Sequence, residues 1–208
     1  MDRYKNLFSA LDEIAARQST LRIMEVGTYD GIRAASLLRH WQLKHPENAA
    51  AYFGFDLFED LTPEKSKAEL SKSKLPPPLG AVLKRLEATG ATIKLTKGDT
   101  CKTLPAAAAN VDDIGPMDLV FLDGGHSLET IASDWKAVSR FMVRGSIALL
   151  DDYYENREDF GCQKEVRRIA MEVNSKKEQR WRVGILDPVD HVEHNGLYIR
   201  MVRIELWS

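Results

Sequence analysis

Two cysteines in 208 residues, Cys101 and Cys162, are too few and too far apart for a zinc cluster or a disulfide framework. Both read as plain thiols of a reducing compartment. No run of about 18 consecutive apolar residues occurs, so the sequence offers no membrane-spanning helix. The N-terminal "MDRYKNLFSALDEIAARQ" is amphipathic and lacks the apolar block and cleavage site of a secretory signal, and the expected location is cytoplasmic. Charge of one sign is missing as a block: 29 basic residues stand against 31 acidic ones, a formal net charge of -2. Nucleic acid is therefore not an expected partner, nor is a membrane. The mixed-sign stretch around Arg167 to Arg180 reads as a solvated helix face. No internal repeat or low-complexity tract appears.

What is present is ordinary globular material, 44% apolar and 29% charged, of a length that suits a single domain over 1–208. Seven β-rich runs alternate with helical patterns: "LRIMEVG", "AYFGFDLF", "TIKLTKGD", "MDLVFLDG", "GSIALLDD", "RVGILDPV" and "LYIRMVRIEL". Most of the early runs are apolar through their centres, as parallel strands covered on both faces require. The expectation is a doubly wound, Rossmann-like α/β fold with a mostly parallel sheet and helices on both faces. In "SLETIASDWKAVSRFM" the positions Leu128, Ile131, Ala132, Trp135, Val138 and Met142 make one helical stripe that reads as core. Only "DHVEHNG" joins the last two runs, too short for a crossover helix, so one antiparallel strand is expected near a sheet edge. The long polar segment 59–80, closed by three prolines, is either a lid over a pocket or a surface loop.

"IMEVGTYDGIRAASLL" reads as strand, glycine turn and helix. Gly27, Thr28 and Gly31 stand at the handover, where glycine permits either a tight structural turn or close approach of a ligand to backbone amides. Glu25 lies between Met24 and Val26, and an acid so placed requires a partner. Asp56 ends the second strand roughly 30 residues after Glu25, where doubly wound folds place an acid on a ribose diol. A threonine occupies the place of the middle glycine of a dinucleotide fingerprint, which disfavours pyrophosphate. Asp99 and Thr100 end the third strand on the same edge, as a helix N-cap or as a contact to an adenine amine. Together these residues suggest an adenosine without phosphates.

"LVFLDGGHS" and "IALLDDYY" each end a buried strand in carboxylates. The ends of neighbouring parallel strands project into one crevice, which brings Asp123 toward Asp151 and Asp152. Three converging carboxylates repel unless one is protonated or a cation intervenes. An all-oxygen set suits a hard divalent ion, with Mg²⁺ first and Mn²⁺ or Ca²⁺ as alternatives; the other reading is that "DDYY" caps a loop. Such an ion lowers the pKa of a chelated substrate hydroxyl. His126, three residues after Asp123, is a candidate general base, or else it N-caps the next helix or orients an aspartate; Asp123 itself is a second candidate proton acceptor. His191 and His194, with no third ligand nearby, read as a surface loop.

Glu-x-Gly-x-x-x-Gly, the acid after the second strand and Gly-Asp after the third resemble the class I S-adenosylmethionine-dependent methyltransferases. "FLDGGHS" and "LLDDYY" narrow the resemblance to the metal-dependent O-methyltransferase branch, methyltransferase family 24, which includes macrocin-type and antibiotic-sugar enzymes and has catechol O-methyltransferases as cousins. It covers roughly Leu21 to Tyr154. It implies a seven-stranded sheet with one reversed strand and S-adenosylmethionine as donor. Glu25 and the Gly27 turn would then face the methionine moiety, Asp56 the ribose and Asp99 the adenine. It further implies a small-molecule hydroxyl as acceptor. His126 occupies the place of a catechol-enzyme lysine, and Asp151–Asp152 that of Asp-Asn.

Two other functions share this architecture: a nicotinamide-dependent oxidoreductase, against which the missing glycine speaks, and a catalytically silent S-adenosylmethionine-binding module. Acceptor identity is not legible, and a homo-oligomer is only the base-rate expectation.

Overall fold

A computed structural model describes residues 4–69, 75–155, 157–175, 181–192 and 197–206. Seven strands form one sheet: β1 (Leu21–Val26), β2 (Ala50–Asp56), β3 (Thr92–Lys97), β4 (Met117–Leu122), β5 (Met142–Tyr154), β6 (Trp181–Val192) and β7 (Leu197–Leu206). Their order is β3-β2-β1-β4-β5-β7-β6; β1 to β5 run parallel and β7 is antiparallel to both its neighbours. The doubly wound sheet with one reversed strand expected from the sequence is present. Direction of winding reverses between β1 and β4, which pair with Val26 opposite Leu122, and crevices for ligands form at such a switch point.

Strict alternation along the central strands builds two cores. Ile23, Leu119, Phe121, Ile147 and Leu149 face helices α1 (Lys5–Ala15), α2 (Ile32–Lys44) and α4 (Leu79–Glu87). Met24, Val26, Val120, Leu122, Ala148 and Leu150 face α5 (Thr100–Ala109), α7 (Leu128–Val138) and α8 (Gln163–Ser175). Each central strand is thus mostly apolar because both of its faces are covered, with Glu25 the buried exception on β1. Edge strand β3 is different: Thr92, Lys94 and Lys97 are exposed, a charged rim that discourages edge-to-edge pairing.

Helix α7 stops at Val138, a 3₁₀ turn covers Ser139–Phe141, and Met142 opens β5. The apolar spacing in the sequence ran on to Met142 because Phe141 and Met142 stay in the same core after the helix has ended. Segment 59–80 supplies α3 (Pro63–Ala68), started by the Thr62 side chain accepting from the Lys65 amide and by Pro63 in its first turn. Residues 70–74 of that segment lie outside the described residues, as does His194. Two short pieces complete the chain order, a 3₁₀ turn at Phe58–Asp60 and α6 (Val111–Ile114). Among the described residues no helix is long and apolar enough to cross a membrane.

Candidate active site

A cavity of about 380 Å³ opens at the carboxyl ends of β1 to β5. On its β2 side, Asp56 accepts the Tyr29 amide on Oδ2 at 2.7 Å and the Phe58 amide on Oδ1 at 2.8 Å. Burial raises its pKa and these backbone donors hold it back. The carboxylate is fixed in orientation and lines the cavity, and each oxygen keeps a lone pair for a further donor. Asp99 and Thr100 line the same wall. Asp99 N-caps α5 by accepting the Cys101 amide at 3.0 Å and lines the cavity as well.

Gly27 joins the two ends of the site. Its φ is +88°, its amide donates to the Phe55 carbonyl at 2.9 Å, and a Cβ there would lie 2.0 Å from the Asp123 carbonyl oxygen. The glycine is needed because backbone meets backbone, β1 against β4, and this clearance also lets the turn line the cavity. Gly31, φ +71°, N-caps α2; a Cβ there would meet a Val82 methyl at 2.8 Å, so its function is packing of α2 on α4. Neither Gly31 nor the buried Thr28 lines the cavity.

Glu25 does not reach the cavity either. It is 1% exposed, and its two oxygens accept from Arg33 Nε at 2.7 Å and from the Tyr52 hydroxyl. Burial pushes the Glu25 carboxyl up, while Arg33 and the Tyr52 hydroxyl pull it back. Arg33 stands between Glu25 and the cavity. Its Nη1 donates to Asp123 Oδ2 at 2.6 Å and its Nη2 to the Gly27 carbonyl at 3.0 Å. Its guanidinium carbon lies 4.8 Å from the Tyr4 ring centre and 4.6 Å from that of Phe121. Two carboxylates outweigh the desolvation cost, so this arginine stays charged. Sequence reasoning required a partner for Glu25 and did not find this one. The signal was a single cation two residues past Gly31, eight past Glu25, on the helix that the glycine turn starts.

At the other end, Asp123, His126 and Asp152 each place a ligand-capable atom within 4.8 Å of the others. His126 Nε2 lies 2.8 Å from Asp152 Oδ2. The Tyr154 hydroxyl donates to Asp152 Oδ1 at 2.8 Å. Burial works against the His126 cation, yet Asp152, Asp123 and Asp151 together raise its pKa. Asp152 has φ +56°, where β5 loses register between Leu150 and Tyr153; the Cys162 amide donates to its carbonyl at 3.1 Å and the Gly161 amide to that of His126 at 2.9 Å. Asp151, adjacent in the chain, accepts the Asp152 amide at 2.9 Å and lines a smaller pocket of about 20 Å³ together with Asp123, His126, Asp152 and Cys162. The three carboxylates expected to converge thus share this small pocket, while the ligand-capable atoms within 4.8 Å of one another belong to Asp123, His126 and Asp152. The helix beginning at Leu128 is capped by Ser127, which accepts the Thr130 amide, and not by His126.

Segment 59–69 covers this end. Glu69 accepts the Ser127 amide on Oε2 at 3.2 Å and the Thr130 hydroxyl on Oε1 at 2.8 Å, and its carbonyl takes the His126 amide at 3.2 Å. Leu61, Ser66 and Glu69 line the cavity. Cys101 and Cys162 are both free thiols.

Comparison with known proteins follows this geometry. The model of a methyltransferase domain family matches residues 24–153, the stretch from β1 to the end of β5 that carries every strand-end residue above. No curated protein sequence matches the chain. Among solved structures, the O-methyltransferase NovP superposes with a TM-score of 0.67 at 16% identity, covering 100% of this chain and 80% of NovP. CalS11, a TDP-rhamnose 3'-O-methyltransferase of calicheamicin biosynthesis, gives 0.56 at 19% identity, covering 98% and 78%. MycE, a methyltransferase of the mycinamycin pathway solved with Mg, SAH and mycinamycin VI, gives 0.54 at 16% identity, covering 98% of this chain and 48% of its own. At these identities the likeness is one of fold.

Proposed function

We propose, for a chain that belongs to the methyltransferase domain family, that it moves a methyl group from S-adenosylmethionine to a hydroxyl of a small diol-like acceptor with the help of a divalent cation. The observation that carries this is one cavity walled at one end by Asp56 and Asp99 and at the other by Asp123, His126 and Asp152. Asp56 suits a ribose diol, since its oxygens are held in place by backbone amides and still able to accept. Support for a hydroxyl acceptor comes from the neighbours NovP and CalS11, both named as O-methyltransferases.

The donor set fits a divalent ion. Its atoms lie within 4.8 Å of one another, a span compatible with ligand distances of about 2.0–2.6 Å. Two carboxylates suit Mg²⁺, and an imidazole beside them suits Mn²⁺ equally. Asp123 and Asp152 would hold the ion, with Asp151 next to them. A bound cation supplies Lewis acidity that lowers the pKa of the acceptor hydroxyl. His126, its Nε2 held by Asp152 at 2.8 Å, would have Nδ1 to take the proton, while Asp152 orients the ring and stabilises the imidazolium. The segment bearing Leu61 and Glu69 excludes water from the sulfonium, whose departure as a neutral thioether needs alignment and little else.

A specific observation favours a second reading of the same transfer without metal. Asp123 is paired with Arg33 and Asp152 is held by His126, so both carboxylates have partners within the protein. The deciding experiment is transfer of a labelled methyl from S-adenosylmethionine to a panel of sugars and polyphenols, with Mg²⁺, with Mn²⁺ and with chelator. Metal-supported turnover abolished by chelator and by Asp152→Asn is the expected result. Turnover indifferent to chelator selects the His126–Asp152 pair alone, and no transfer to any hydroxyl overturns the proposal.

A further inference from the structure

The methionine end of the cavity is walled by a cation where the sequence led one to expect an acid. Glu25 is sealed behind Arg33, both its oxygens already accepting, and Arg33 presents the polar surface at that place. A guanidinium carries five N–H donors. Three of Arg33's are used, on Glu25, Asp123 and the Gly27 carbonyl, which leaves two for a ligand. The aromatic rings of Tyr4 and Phe121 and three acceptors hold the fork in one orientation at the cavity wall.

From this we infer that Arg33 receives the α-carboxylate of the donor's methionine, and that Asp123 and the Gly27 carbonyl beside it face the α-ammonium. The inference rests on the methyl-donor reading above and names the group that recognises the amino-acid end. Charge agrees with it. Glu25, Arg33 and Asp123 sum to one negative charge, and S-adenosylmethionine, with its carboxylate, ammonium and sulfonium, carries one positive charge. A cation and a carboxylate set side by side match the zwitterion as neither does alone. Arg33 is at the same time the positioning residue for Asp123, whose Oδ2 it holds, so the donor's carboxylate and the acceptor end share one guanidinium.

The test compares S-adenosylhomocysteine with its decarboxylated analogue, which keeps the amine and lacks only the carboxylate, by calorimetric titration of the full chain. Wild type is expected to prefer the intact nucleoside by about 100-fold, as the loss of a bidentate charge-assisted contact implies. In Arg33→Met that preference falls to within about threefold, while affinity for the decarboxylated analogue changes little. Arg33→Lys, which keeps the charge and loses the fork, falls between them. Because Arg33→Met strands a buried carboxylate, the companion Glu25→Gln/Arg33→Met removes both charges and is expected to show the same lost preference. A preference that survives in these variants overturns the inference, as does a wild type that binds both nucleosides equally. A wild type that binds neither nucleoside refutes the donor reading itself.

Discussion

His126 Nε2 and Asp152 Oδ2 stand 2.8 Å apart, and the hydroxyl of Tyr154 holds the other Asp152 oxygen at 2.8 Å. The acid is therefore gripped from two sides and aims the imidazole into the cavity. Replacing Asp152 with Asn keeps the shape and removes the charge that stabilises an imidazolium. We expect single-turnover methyl transfer to slow by about 100-fold or more, with S-adenosylhomocysteine affinity within about threefold of wild type. Slowing of less than about tenfold would remove Asp152 from the chemistry.

Gly27→Ala sets a methyl group against the Asp123 carbonyl at 2.0 Å with φ at +88°. Neither backbone can yield without breaking the β1–β4 ladder, in which the Asp123 amide donates to the Val26 carbonyl at 2.9 Å. A loss of about 2–4 kcal/mol is expected in urea denaturation. Gly145→Ala is the reference: its φ is +94° but nothing lies within 4 Å of the added carbon, so it reports the conformational part alone. Equal losses in the two variants would refute the steric argument.

Asp134, 2% exposed on α7, has its pKa pushed up to about 7 by burial; the Thr100 hydroxyl opposes the shift, and Glu69 and Asp99 add to it. Between about pH 4 and 7 the folded chain keeps a proton on Asp134 that the unfolded chain has released. Stability from this group is thus present on the acid side and is lost as pH rises through about 7. Between about pH 5 and about pH 8 the expected loss is about 2–3 kcal/mol, and Asp134→Asn should shrink the pH dependence by about that amount in parallel denaturant titrations. A variant with an unchanged slope would assign the dependence elsewhere.

Glu69 fastens segment 59–69 to the first turn of α7 through Ser127 and Thr130. In Glu69→Ala we expect amide exchange over 61–69 to accelerate about tenfold, with protection restored in part by S-adenosylhomocysteine. Unaltered exchange would mean that packing of Leu61 and α3 alone keeps the segment down.

The seven strands, the reversed one and the edge on which Gly27, Asp56, Asp99 and Asp123 collect were legible because apolar runs and their terminal acids carry position with them. Three features were not legible. Arg33 pairs across a strand-to-helix turn with Asp123, 90 positions away, and no local pattern encodes that. Asp151 and Asp152 look interchangeable in "DDYY", yet Asp152, left-handed in a bulge, pairs with His126 and lines the main cavity, whereas Asp151 lines only the smaller pocket that the two share. Glu69 sits in a polar stretch whose composition suits a lid and a surface loop alike; its value comes from unfilled amides at the start of α7.

Position 152 also constrains how this lineage can drift. Asparagine tolerates that backbone at least as well as aspartate, and achiral glycine better than either, whereas β-branched residues resist it. Both tolerated exchanges are one nucleotide away from an aspartate codon. On the proposed role of Asp152, a descendant could therefore fall silent as a catalyst by a single step while its sheet and its cavity persisted, so that inactive paralogues are the expected by-products of this architecture.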